Sequence, residues 1–246
     1  MTVLLLLMSL MSCVTAEKAR RSDTRTDLGT AYLKEGNAPG AVEALRTAAA
    51  LNPQNATAWE RLGLAYMASN AHELAEDAFQ RSMKLGTTDD PARVIYNYGL
   101  LMLKMERYDD ALVQFDKTLA DLTYRTPARA LNSKGYTLYL LKRYEEAINV
   151  LSDAIRRVPA MCPAQFHRGL AYQAKGQSQL ALSDFEGVIQ TCGEDASGAY
   201  FHAAKSLLTI GERAAACAYL RTALRDSTSD IFAAQVRELA TGECNQ

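Results

Sequence analysis

Several features that would indicate nucleic-acid binding or membrane insertion are missing from the sequence. It has no run of lysine or arginine, and its formal net charge is −1. Nucleic acid or an anionic lipid surface is therefore not expected as the principal partner. No apolar run approaches the roughly 20 residues that a membrane-spanning helix needs.

Recognisable catalytic motifs are missing as well. There is no nucleophile elbow, no zinc-protease motif and no glycine-rich phosphate loop. The carboxylate pairs Asp109-Asp110 and Glu145-Glu146 are expected at helix N-termini, where negative charge is stabilising. His167 and His202 occupy the same position in neighbouring repeats, but no third metal ligand accompanies them. We expect these histidines to contact a peptide, and we expect no enzyme activity, no cofactor, no metal and no small-molecule substrate.

The sequence does contain a repeated pattern, seen most clearly in residues 92–125. Its first half places Ile95, Tyr98 and Met102 on one side, with the small residue Gly99 among them, and a second helix follows the turn at Glu106. Alternation of large and small residues over two such helices is typical of a tetratricopeptide repeat, a helical hairpin of about 34 residues.

Six copies of this pattern follow one another. The first five pattern glycines are 34, 36, 36 and 34 residues apart, and the copies cover residues 22–55, 56–89, 92–125, 128–161, 162–195 and 197–230. Because a lone hairpin cannot bury its apolar face, neighbouring copies must stack. The prediction is an all-α, right-handed solenoid over residues 22–241, one continuous domain closed by a capping helix at 231–240. Residues 242–246 are expected to be a tail.

The N-terminus differs in kind from the repeats. Residues 1–12 are apolar, and the segment from Leu10 to Cys13 resembles a lipobox, at which a lipoprotein signal peptide is removed. We expect residues 1–12 to be the signal peptide, Cys13 to be lipidated, and residues 13–21 to be a tether. The segment lacks the basic region of a secretory signal. We therefore expect that the true translation start lies upstream, or that the start of this sequence has been trimmed. The alternative is a disordered apolar tail with an incidental cysteine.

The other four cysteines lie in the last third of the chain. In an exported protein an even number favours disulfides, and four cysteines allow three pairings. Cys162 begins the first helix of repeat five and Cys192 follows the second, so antiparallel helices bring them together. The same reasoning pairs Cys217 with Cys244. The alternatives are free thiols in a cytosolic protein or a zinc site, whose usual paired spacing is absent.

The inner surface of such a solenoid is formed by the first helix of each repeat. Its positions in repeats three to six carry aromatic rings with amides, a composition suited to holding an extended peptide. The predicted groove residues are Tyr96, Asn97, Arg129, Asn132, Tyr136, Tyr139, Phe166, His167, Phe201, His202 and Lys205. The alternative for several aromatics, Tyr136 and Phe166 above all, is packing between helices.

A lipobox-like cysteine before six such repeats resembles the outer-membrane lipoproteins that act as pilotins for the type IV pilus secretin, the PilF/PilW/Tgl-like group. Ala92-Arg93-Val94 together with Asn97-Tyr98-Gly99 resembles that family's third repeat. Asp121 and Tyr124, followed by Pro127 and Arg129, resemble its longer link into repeat four. The four C-terminal cysteines are not general in the family and indicate the Tgl-like branch.

The resemblance implies a lipid-anchored protein of the outer membrane, facing the periplasm, whose groove holds a segment of the secretin. It would promote secretin localisation and multimer assembly, and so pilus biogenesis and motility. Two alternatives are a lipoprotein adaptor for cell-wall synthesis or outer-membrane protein insertion, and a cytosolic co-chaperone scaffold. The second would require an unlipidated Cys13 and reduced cysteines.

Overall fold

A computed structural model describes residues 2–86, 88, 90–193, 196–226 and 229–244, with side chains from residue 15 onward. Within this part of the chain there are thirteen α-helices and no strand. The chain divides into two compact units, residues 1–124 and 125–246. In the part described, no helix is both long enough and apolar enough to span a bilayer.

The first unit consists of three antiparallel hairpins. In each hairpin the first helix packs against the second, and the second helices of the first two hairpins pack against the hairpin that follows. The six helices are α1 (Thr2–Lys34), α2 (Ala38–Leu51), α3 (Ala56–Ala68), α4 (His72–Leu85), α5 (Pro91–Lys104) and α6 (Tyr108–Ala120).

The predicted tether, residues 13–21, belongs to α1, so the predicted boundaries at residues 12 and 21 both fall inside one helix. Glu17 and Arg20 form an exposed ion pair one turn apart on it. Ser22, which is fully buried, donates a hydrogen bond to the carbonyl of Ala48 in α2. The backbone of Cys13 lies in α1, but its side chain is outside the described part, so its lipidation stays a prediction.

The second unit repeats the same arrangement and adds a cap. Its hairpins are formed by α7 with α8, α9 with α10, and α11 with α12, and α13 packs against α12. The seven helices are α7 (Pro127–Leu140), α8 (Tyr144–Arg157), α9 (Cys162–Ala174), α10 (Ser178–Cys192), α11 (Ser197–Ile210), α12 (Arg213–Arg225) and α13 (Asp230–Cys244). The cap is longer than the predicted 231–240.

Local sequence explains where these helices begin. Asp90 accepts a hydrogen bond from the backbone of Arg93 at the start of α5, and Asn55 caps α3 in the same way. The carboxylates Asp109-Asp110 and Glu145-Glu146 lie in the first turns of α6 and α8, as expected from the helix dipole. The three fully enclosed phenylalanine rings, Phe79, Phe115 and Phe185, come from second helices and lie in the cores of their hairpins.

Two disulfides tie the ends of helices in the second unit. Cys162 at the start of α9 is bonded to Cys192 at the end of α10, with their Cα atoms 6.6 Å apart. Cys217 of α12 is bonded to Cys244 at the end of α13, with a Cα separation of 5.7 Å. These are the two pairs that the order of the helix ends predicts.

Candidate protein-binding face

The first helices of the three hairpins in the second unit, α7, α9 and α11, lie side by side and present one common face. We call it the first-helix face. Arg129 and Lys205 are exposed on it, and the aromatic and amide side chains are half-buried. Its predicted members are Arg129, Asn132, Tyr136, Tyr139, Phe166, His167, Phe201, His202 and Lys205.

Tyr136 and His167 join α7 to α9 across this face. Their rings are stacked with centroids 4.3 Å apart, and the ring of Tyr139 is stacked with that of Tyr136 at 6.2 Å. Nδ1 of His167 lies 2.9 Å from Oδ1 of Asn132. Because an amide oxygen can only accept, Nδ1 carries the proton in this bond. The unprotonated nitrogen of His167 is then Nε2.

His202 of α11 is held in the same way by Gln173 of α9. Nε2 of Gln173 donates to the carbonyl oxygen of His202 at 3.0 Å and to Oγ of Ser206 at 2.9 Å. Its amide oxygen therefore faces Nδ1 of His202, at 2.9 Å, and fixes the proton on that nitrogen. The predicted set lacks Gln173. It lies one 34-residue repeat after Tyr139, and this equivalence would have identified it.

Both imidazoles are neutral at neutral pH. Burial lowers the pKa of His167 to about 4. Burial and, secondarily, the charge of Lys205 lower the pKa of His202 to about 4. Among the described residues neither Nε2 has a hydrogen-bond partner, and neither is an enclosed unpaired atom. Each is therefore an acceptor that a bound molecule can reach.

An apolar cavity of about 480 Å³ adjoins His167. The Cys162–Cys192 disulfide forms part of its wall, and the ring of Phe166 forms another part. Phe166 meets the core ring of Phe185 edge to face at 5.6 Å, so its position is fixed by packing. The cavity is lined by Cys162, Phe166, His167, Val188, Cys192 and Ala199, among others. It has the size and composition to take an apolar side chain.

The remaining predicted members, Tyr96 and Asn97, lie in the first unit. The expectation that they are exposed is wrong, because they are only 7% and 8% accessible. Tyr124, from the link after α6, covers Tyr96, with ring centroids 5.9 Å apart. Asn97 donates to the buried carboxylate of Glu60 at 3.2 Å. Both side chains therefore contribute to the packing of the first unit and are not open to a bound peptide.

Glu60 is the fully enclosed carboxylate of that packing. Its side chain is 0% exposed, and Arg93 donates two hydrogen bonds to it, each 2.9 Å long. In repeat two this position of the first helix is therefore occupied by an internal ion pair. In the part of the chain that the structure describes, no group of three histidine, cysteine or acidic side chains is placed to hold a metal ion.

Comparison with known proteins identifies the repeat. Residues 26–90 and 96–161 match the family model of the tetratricopeptide repeat. The chain belongs to the tetratricopeptide repeat family. Tetratricopeptide repeats stack into extended binding surfaces, so the first-helix face is the expected place for a protein ligand.

A curated relative is the type IV pilus assembly protein PilF of Pseudomonas aeruginosa. The two chains are 29% identical over 132 residues, which cover 50% of this chain and 52% of PilF. The chain thus spans about half the length of the curated relative that it matches. Over that stretch the two tetratricopeptide repeat proteins are homologous.

Two solved structures share the fold. A crystal structure of PilW, described as a widely conserved type IV pilus biogenesis factor, has a TM-score of 0.79 and 22% identity, covering 87% of this chain and 97% of PilW. A structure of Pseudomonas aeruginosa PilF has a TM-score of 0.75 and 18% identity, covering 90% of this chain and 99% of that one. At these identities the likeness shows the tetratricopeptide repeat fold.

Proposed function

We propose that this protein is an outer-membrane lipoprotein that binds the type IV pilus secretin and promotes its localisation and multimer assembly, and so supports pilus biogenesis and motility. The homology to the type IV pilus assembly protein PilF carries the proposal. The fold shared with PilW, a pilus biogenesis factor, supports it. The protein acts as a binding scaffold with no reaction of its own.

The lipid anchor is assigned to Cys13, left as the first residue after removal of residues 1–12. Each methylene of an acyl chain that enters the bilayer contributes about 0.8 kcal/mol, so several chains on one cysteine hold a protein firmly. The repeats then face the periplasm. The oxidised pairs Cys162–Cys192 and Cys217–Cys244 agree with such a compartment.

The first-helix face is assigned to the secretin segment. The rings of Tyr136, Tyr139, Phe166 and Phe201 are only half-buried, so they offer apolar area that a bound segment can cover. Aromatic side chains of this kind commonly dominate the binding energy of protein interfaces. Asn132 keeps its Nδ2 group for a partner carbonyl, since its oxygen already accepts from His167.

The deciding experiment measures secretin multimers in a strain that lacks the gene. We expect multimers to be lost and to return with the wild-type gene. Tyr136→Ala should accumulate normally and restore few multimers. Leu180→Ala is the matched control, because Leu180 is 50% exposed on α10 and outside the face. Normal multimers in the deletion strain would overturn the proposal.

Cys13→Ser tests the anchor separately. We expect the variant to leave the outer-membrane fraction, and mass spectrometry of the wild-type protein should find acyl chains on Cys13. A Cys13→Ser protein that still fractionates with the outer membrane would contradict the assignment of the anchor.

A further inference from the structure

The three helices that form the first-helix face contain no aspartate and no glutamate. They contain four cationic residues: Arg129, Lys134, Arg168 and Lys205.

Two of these cations face acidic groups of the protein's own second helices. The guanidinium of Arg168 binds both carboxylate oxygens of Asp184, at 2.8 and 2.7 Å. Lys134 acts on Glu146, where its positive charge helps to lower the pKa of that carboxyl.

Arg129 and Lys205 are the two that are left over. Both are exposed, and neither forms an ion pair with any described residue. Lys205 lies over the ring of Phe201 at 5.7 Å. It shares a recess at the cap with Glu238 and Glu243 of α13, of which Glu243 is paired with Arg213. The face itself therefore presents positive charge without a balancing carboxylate on its own helices, and complementary charge steers and orients a partner.

The uncharged groups of the first-helix face set a second requirement for the molecule that binds there. His167 and His202 offer two Nε2 acceptors, which only an N–H or O–H donor can satisfy. An extended polypeptide carries a regular row of such donors on its main chain. Asn132 complements them, since its Nδ2 donor has no partner among the described residues and suits a main-chain carbonyl.

From these observations we infer that the first-helix face binds an extended, acidic segment of a protein. Its main-chain N–H groups bond to Nε2 of His167 and His202, its acidic side chains approach Arg129 and Lys205, and an apolar side chain enters the cavity beside Phe166. The inference rests on the proposed function in that it describes the segment of the secretin that this face would hold.

A peptide screen tests the charge preference. The full chain, purified in mild detergent, is exposed to a library of short random peptides that contains tiled peptides of the secretin. We expect enrichment of peptides with aspartate or glutamate near an apolar residue, and their binding should weaken as salt is raised. The inference would be overturned if the enriched peptides showed no acidic bias. It would also be overturned if a parallel screen enriched nucleic acid and the peptide screen did not enrich acidic peptides.

An N-methyl scan of the strongest peptide tests the histidines without altering the protein. Methylation of the main-chain nitrogens that bond to the imidazoles should weaken binding about three- to tenfold, the effect of losing one hydrogen bond. His202→Phe and His167→Phe are tested separately. In each variant, N-methylation at one of these peptide positions should no longer weaken binding, while the thermal unfolding temperature of the protein stays close to that of the wild type. If N-methylation at the same positions weakens binding equally in the wild type and in both variants, the histidines are not the acceptors and the inference fails.

The two proposals can fail separately. Acidic peptides that bind while no secretin peptide does would support the inference on the face and count against the secretin as partner. Secretin multimers that depend on the protein, together with peptides that show no acidic bias, would support the proposed function and overturn the inference.

Discussion

Gly169 of α9 lies directly against the ring of Phe185 in α10. A Cβ atom at Gly169 would be 2.7 Å from Cε1 of Phe185, closer than real carbon atoms approach. Phe185 is fully enclosed, so its ring cannot move aside. Gly63 with Phe79 and Gly99 with Phe115 show the same contact. The recurring glycine therefore sets how closely the two helices of a hairpin pack.

Gly169→Ala should reduce the free energy of unfolding by about 1–3 kcal/mol, because the added methyl group overpacks a closed core. Urea unfolding followed by circular dichroism measures the change. Gly187→Ala in the same hairpin is the control. There an added Cβ would meet nothing closer than 3.6 Å, so it should stabilise by about 0.5–1 kcal/mol by removing a glycine from a helix. Equal effects of the two substitutions would contradict this account of the packing.

The pair of Glu60 and Arg93 gives a second prediction. Arg93→Ala leaves the enclosed carboxylate of Glu60 without its cation, and breaking a buried pair in this way costs about 3–5 kcal/mol. Arg156→Ala removes the partner of Asp153 from a pair that is more than half exposed, so it should cost less than about 1 kcal/mol. Comparable losses of stability in the two variants would show that Glu60 is not held as described.

The hairpins could be predicted from the sequence because each depends on residues close together in the chain. The small residue at Gly99 and the large one at Phe115 belong to one repeat, and their spacing is visible at once. The disulfide pairs followed from the same regularity, since the order of antiparallel helices fixes which ends meet. Such local regularity says little about what covers a side chain from outside its own repeat.

The burial of Tyr96 and Asn97 shows this limit. Asn97 is enclosed by Glu60, which lies 37 residues earlier, and Tyr96 by Tyr124, which lies in the link after its own hairpin. The pattern within one repeat assigns both residues to an open surface. Gln173 is absent from the predicted set for the opposite reason, because it is a polar residue at the repeat position where Tyr139 carries an aromatic ring. A polar residue there fixes a histidine tautomer just as firmly.

The disulfide of Cys217 and Cys244 joins residues 27 positions apart and fastens the cap. Replacing both by alanine should lower the free energy of unfolding by about 2–4 kcal/mol, because the unfolded chain gains freedom. Added reductant should destabilise this variant less than wild type, since only Cys162–Cys192 is left to break. Peptide mapping without reductant should recover the two pairs, and recovery of Cys192 joined to Cys217 would refute the arrangement of helix ends.

The two half-buried histidines, His167 and His202, predict that acid destabilises the second unit. The pKa of His167 and of His202 is about 4 in the folded protein, against 6.5 for an ordinary histidine. Between these values the unfolded chain binds more protons than the folded one, so stability is complete above pH 6.5 and falls as the pH drops toward 4. Each histidine should account for about 2 kcal/mol of the loss between pH 7 and pH 5.

Urea unfolding at a series of pH values checks this prediction. His202→Gln should remove about half of the histidine-dependent loss, since one neutral buried imidazole is gone while His167 is left. The same substitution at His72 is the control, because its ring makes no hydrogen bond or ring contact with the described residues, and the pH dependence should match wild type. A His202→Gln protein whose stability falls with acid as steeply as wild type would mean that His202 is not held neutral by burial. The acceptor role assigned to its Nε2 would then lose its basis.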